Sequence, residues 1–185
     1  MKRVLVPLAP GFEEVEALTV VDYLRRAGAQ VVTASVGAPN PIGGKHRIRV
    51  MADIDLSEAL DEWGEDFAAV VLPGGPAVQK LAESETLLAL VSGRLSRGEL
   101  TAAICAAPLV LAKAGLDTGT RITSWPGVRG ELVAYTQYSE ERVVRDGNVI
   151  TSRGPGTSVE FALALVEALF GAGKADEIRR DTVSL

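Results

Sequence analysis

Short apolar runs that alternate with stretches of helical spacing constrain this chain more than any other feature. The opening KRVLVPL is a compact β-branched run. EEVEALTVVDYLRRAG then changes period, with Val15, Leu18, Val21 and Leu24 at every third position and Gly28 as a stop. AQVVTASV reads as a second strand, and RIRVMADI alternates like a hairpin arm after the Pro/Gly turn region GAPNPIGGKH. LSEALDEWG reads as a short helix, FAAVVLPGG as a strand ending in two glycines, and residues 76–97 as mostly helical with a break near Ser84. A strand over 100–104, a helix over 106–114, a hairpin turning at Asp146-Gly147 and the helix SVEFALALVEALFG complete the series. Thr157 and Glu160 have the spacing of a capping box at the start of that helix.

Strands that alternate with helices predict an α/β fold: an open, mostly parallel sheet covered on both faces. At 185 residues the chain is long enough for one domain with a sizeable core, so 1–185 reads as a single unit. In such sheets, sites gather beyond the carboxyl ends of the strands.

Composition narrows the chemistry. Nineteen Lys and Arg residues against twenty-four Asp and Glu leave a net charge of −5 and no basic stripe, so nucleic acid is not expected as a main partner. No apolar stretch approaches the ~20 residues of a membrane helix, so no membrane association is expected. MKRVLVPLAPGF reads as a first strand rather than a signal peptide, which favours a cytoplasmic location. With one cysteine and one histidine, an internal disulfide is excluded, and a zinc site would have to rely mostly on carboxylates. The expected chemistry uses one thiol, carboxylates and backbone groups, without metal or organic cofactor.

That thiol, Cys105, lies in LTAAICAAPLVLAKAG, at the turn from strand to helix. A sulfur there is lifted out of the sheet toward unpaired N–H groups that favour a thiolate. Ala102, Ala103, Ala106 and Ala107 give the small side chains a cramped turn needs, and Pro108 suits a first helical turn. By position alone Cys105 reads equally as a small buried apolar residue. Gly74 and Gly75 end another strand, either as a plain turn or as backbone open to a ligand. If the two strand ends are neighbours, the Gly75 and Ala106 amides form an oxyanion hole. Spacing alone does not choose among Glu13, Glu14 and Glu16 as an acidic partner, since all three suit a helix N-terminus.

Five stretches, LAPGFEEVEA, RRAG, VVLPGG, AAICAAP and TSRGPGTSVEFALALVEAL, carry a resemblance to the ThiJ/PfpI family over residues 8–169. The resemblance implies a flavodoxin-like three-layer sandwich, of the class I glutamine amidotransferase-like type, and a homodimer. It also implies that Glu16 is the glutamate paired with the elbow cysteine. A protonated Glu16 carboxyl would donate to the sulfur, with its own pKa raised by the anion beside it. Several members place a histidine near the cysteine, in a T-H-P context. Here TSWPG puts Trp125 at that place, and the acid at Asp22 loses its matching partner. The sole histidine, His46, reads as a surface or strand-edge residue. A Cys-His-Asp triad is not expected. Trp125 and Arg153 join Gly74 as expected substrate-binding residues, Trp125 as pocket wall or dimer contact and Arg153 for an anionic group.

The implied function is a cysteine-dependent enzyme on small reactive carbonyls or glycated-protein adducts, of glyoxalase III or deglycase type. The alternative is a redox-responsive chaperone or stress sensor that uses oxidation of Cys105. PfpI-type peptidase activity is disfavoured because Ala106 stands where a histidine is expected. Amidotransferase chemistry lacks its C-terminal histidine–glutamate pair.

Overall fold

The computed structural model describes residues 1–132 and 137–184. β1 (Arg3–Leu8) leads through α1 (Glu14–Arg26) to β2 (Gln30–Ser35). A small antiparallel hairpin of β3 (Ile42–Gly43) and β4 (Arg49–Val50) precedes β5 (Ile54–Asp55) and α2 (Leu56–Trp63). β6 (Ala69–Leu72), α3 (Ala77–Glu83), α4 (Glu85–Arg97), β7 (Thr101–Ile104) and α5 (Pro108–Lys113) follow. The rest comprises β8 (Arg121–Ile122), α6 (Arg129–Leu132), β9 (Gln137–Tyr138), β10 (Val143–Asp146), β11 (Val149–Ser152), α7 (Ser158–Phe170) and α8 (Ala172–Asp181).

The main sheet has seven strands in the order β10-β11-β7-β6-β1-β2-β5, and only β10 runs antiparallel to its neighbour. This is the mixed α/β sandwich the alternation predicts. β6 and β7 are buried at every position, which is why they read as continuous apolar runs rather than as alternating ones. α1, α7 and α8 pack together, and α3, α4 and α5 form a second packed group. From β1 the chain steps one way to β2, and from β6 the other way to β7. Right-handed crossovers then place α1 and the α3–α4 pair on opposite faces. The switch point falls between β1 and β6, and in open α/β sheets it is at such a point, beyond the strand ends, that ligands are held.

Arg94 is the largest fully buried side chain among the described residues. From α4 its guanidinium donates to the Phe67 and Leu100 carbonyls, at 2.8 and 3.0 Å, and lies 3.1 Å from Glu99. It thus ties the entries of β6 and β7 together. Arg94→Ala removes these donors and leaves a hole, so we expect a loss of about 2–4 kcal/mol in urea denaturation.

Several local expectations are corrected. At 3.6 residues per turn, a step of three falls about 60° short of a full turn, so the Val15-Leu18-Val21-Leu24 series winds around α1. Val21 and Leu24 are buried, whereas Val15 and Leu18 are exposed. α5 begins at Pro108 rather than at 106, and a turn spans 105–107. Thr157 does not cap α7 by side chain. Its hydroxyl pairs with Ser152 and with the Gly154 backbone, while Glu160 pairs with Arg142. In the β10–β11 hairpin Asp146 pairs with Val149, so Gly147 and Asn148 form the turn.

Candidate active site

Three loops meet at the switch point: the start of α1 after β1, the glycines after β6, and the turn after β7. Glu16 lies in the first turn of α1 with its side chain wholly buried. Its Oε2 accepts the Gly74 N–H at 2.8 Å. A Cβ built on Gly74 would lie 2.6 Å from the Cys105 Cβ, 2.6 Å from Glu16 Oε2 and 3.0 Å from the Ile104 carbonyl oxygen. The absence of a side chain here is what lets the acid and the thiol meet. Gly74→Ala should therefore cost about 1–3 kcal/mol in a denaturant titration and force Cys105 and Glu16 apart.

Cys105 has φ 65°, in the left-handed region where a residue with a Cβ is disfavoured by roughly 1–2 kcal/mol. The surroundings hold it there. Its N–H donates to the Ser152 carbonyl at 2.9 Å, and its own carbonyl accepts the Trp125 N–H at 2.8 Å. The strained turn lifts the partly exposed sulfur toward the backbone N–H groups of Gly75 and Ala106, which both donate to it. Gly75 adopts φ 85°, and a Cβ there would sit 2.5 Å from the Gly11 carbonyl oxygen, so only glycine presents that amide cleanly.

Electrostatics couple the acid and the thiol. Burial pushes the Glu16 carboxyl from 4.5 up to about 7, against the Gly74 N–H and the Cys105 side chain, which both favour its charge. Burial first, and the Glu16 carboxylate second, push the Cys105 thiol up to about 12; the Gly75 and Ala106 N–H groups pull it down. The pair therefore gives up one proton near 7 and keeps a second, shared one up to about 12. Two features favour Glu16 as the holder of that shared proton. The sulfur receives two backbone donors and is partly exposed, whereas the carboxyl receives one and is sealed. Glu16 Oε1 is also buried without a nitrogen or oxygen partner, an orphan that a proton directed at sulfur satisfies.

The predicted residues thus fall into two groups. Cys105, Glu16, Gly75 and Ala106 come together. Gly74 is with them, but its N–H is taken by Glu16, so its part is to make room rather than to bind. Trp125 and Arg153 line an adjoining open cleft of about 230 Å³ with Pro126, Arg142 and Pro155. Trp125 is half exposed, and an Arg153 Nη donates to the Glu140 carbonyl at 2.8 Å. Asp22 faces solvent in a 2.8 Å pair with Arg26.

Lys45 was not anticipated. Its ammonium lies 3.1 Å from the buried Glu13 carboxylate, and its charge is felt at both Glu16 and Cys105. The Gly43-Gly44 turn before it was the only signal, and nothing in its spacing linked it to α1.

The sequence pattern of the DJ-1/PfpI family matches residues 2–168. "Protein dj-1beta" of Drosophila melanogaster is 41% identical over 181 residues, covering 97% of this chain and 95% of that protein. "Glutathione-independent glyoxalase DJR-1.2" of Caenorhabditis elegans is 34% identical over 179 residues, covering 96% of this chain and 94% of that one. The crystal structure of Drosophila DJ-1beta superposes with a TM-score of 0.94 at 40% identity, covering 100% of this chain and 98% of the other. With the flavodoxin-like architecture and the resemblance of its motifs thus matched, the chain belongs to the DJ-1/PfpI family.

Proposed function

We propose that the protein is a cofactor-independent cysteine enzyme that converts small 2-oxoaldehydes to hydroxy acids, or releases them from adducts on proteins. The observation that carries this reading is the convergence of one partly exposed sulfur, two backbone N–H donors and a buried acid of raised pKa at one strand end. A relative named as a glutathione-independent glyoxalase, 34% identical over nearly the whole chain, supports the substrate class.

With methylglyoxal, the Cys105 thiolate adds to the aldehyde carbon, forming a C–S bond as the carbonyl π electrons move to oxygen. The Gly75 and Ala106 amides stabilise that oxyanion. Glu16 protonates it, then takes the proton from the former aldehyde carbon and returns it to the neighbouring carbon through an enediol, while the hydroxyl proton passes from the first oxygen to the second. The product is a lactoyl thioester. Water cleaves its C–S bond, releasing lactate and restoring the thiol. The overall change is the addition of one water, with no external oxidant or reductant.

The Trp125 and Arg153 cleft lies beside this centre and suits the remainder of a protein adduct, its apolar wall flanked by guanidinium groups. Exposed Val15, Leu18, Ile48 and Met51 support a homodimer, since apolar side chains of this size gain by being covered. Lactate formation from methylglyoxal, measured with purified protein and no added thiol, tests the activity. A rate no faster than the buffer reaction would contradict it.

A further inference from the structure

We infer that Glu13, Glu14 and His46 form a binding site for a divalent transition-metal cation of the zinc class, separate from the Cys105 nucleophile. One carboxylate oxygen from each glutamate and one ring nitrogen of His46 lie within 4.8 Å of one another. His46 Nε2 is 3.6 Å from Glu13 Oε1. Imidazole with carboxylates is a donor set that zinc accepts, at nitrogen and oxygen distances near ~2 Å, so a modest closure of the trio would seat an ion.

Charge and burial both favour it. Glu13 and Glu14 are 4% and 3% exposed, and the Glu13 charge is felt at Glu16. Lys45 is the one ammonium that pairs with Glu13 among the described residues. Glu14 is the second, independent pointer. Its Oε1 accepts the His46 and Ile48 N–H groups at 2.7 and 3.3 Å, but its Oε2 is sealed from solvent with no donor. A buried carboxylate oxygen without a partner is costly, and a cation would satisfy it. The β3–β4 loop brings the histidine to it: Gly44 leaves room beside the Glu14 carboxyl, and the Lys45 N–H is fixed to the Phe12 carbonyl at 2.9 Å.

Lys45 sets the affinity. Its ammonium lies 3.1 Å from Glu13 Oε2 while His46 faces Oε1, so its positive charge opposes an incoming cation until it swings away. At 45% exposure, it has solvent to swing into.

The test is calorimetric titration of Zn²⁺ into the Cys105→Ser protein, chosen because a lone thiol would itself take up zinc. One equivalent per chain is expected. Adding His46→Ala should weaken binding at least tenfold. Adding Lys45→Met should tighten it several-fold, a change that general damage to the fold would not produce. No saturable binding in the Cys105→Ser protein would overturn the site. So would one-equivalent binding that His46→Ala leaves unchanged, or a Lys45→Met protein that binds no more tightly. None of these outcomes depends on the lactate assay, so the site stands or falls apart from the enzymatic reading.

Discussion

Cys105→Ser should lower the rate of lactate formation from methylglyoxal on the order of 10³-fold or more while leaving the fold intact. Serine fills the same socket, and its N–H and carbonyl keep the bonds to Ser152 and Trp125 that hold the left-handed turn. What it loses is a group that ionises in this pH range, because a hydroxyl flanked by two N–H donors is still far from an alkoxide. Initial rates for the two proteins at matched concentration, with circular dichroism to confirm the fold, check this. Equal rates would end the proposal that this thiol is the nucleophile.

Glu16→Gln should cost about 10²–10⁴-fold in the same assay. The amide can still accept the Gly74 N–H, but it cannot carry a proton from one carbon to the next. This variant also has a thermodynamic signature. The folded pair gives up its first proton near 7, whereas the carboxyl in its ordinary state gives up its own near 4.5. The folded chain therefore binds more protons than the unfolded one between those values, and stability falls as pH rises. The contribution is fully present below 4.5 and gone above about 7, a change of about 3 kcal/mol. Glu14, Asp55 and Glu99 are shifted the other way, so their stabilisation is lost as pH falls. Subtracting the Glu16→Gln stability curve from the wild-type curve cancels them. Urea denaturation on both sides of the window should show the wild type losing that stability toward neutral pH and Glu16→Gln losing little of it.

Most of the site could be read because its parts sit where local chemistry leaves marks. A cysteine among alanines before a proline, and a Gly-Gly pair closing an apolar run, mark strand ends at the level of single residues. The order of strands brings those ends together; alternation of β and α predicts a mostly parallel sheet but leaves that adjacency open. Glu16 was different: in spacing it is one of three helix-start acids, and only the resemblance separated it. The structure supplies the physical reason for the choice. α1 turns Glu16 inward with Ala17 and Val20, whereas Glu13 and Glu14 meet the β3–β4 loop.

Other features left no local mark. Lys45 and His46 reach Glu13 across more than thirty positions of chain, a relation that hydrophobic period does not encode. Arg94 looks like an ordinary basic residue near a helix end, and its burial follows from the way β6 and β7 enter the sheet beside α4. The Thr157-Glu160 spacing failed as a cap because tertiary partners, Ser152 and Arg142, compete for both side chains.

The rate at which iodoacetamide alkylates Cys105, followed across pH, measures thiolate directly. If the two main-chain amides carry the charge on sulfur and the acid keeps the last proton, alkylation rises through about 7 in step with the first ionisation of the pair, and Glu16→Gln moves that midpoint. A single rise at an ordinary thiol value near ~8.5, unmoved by Glu16→Gln, would contradict the account.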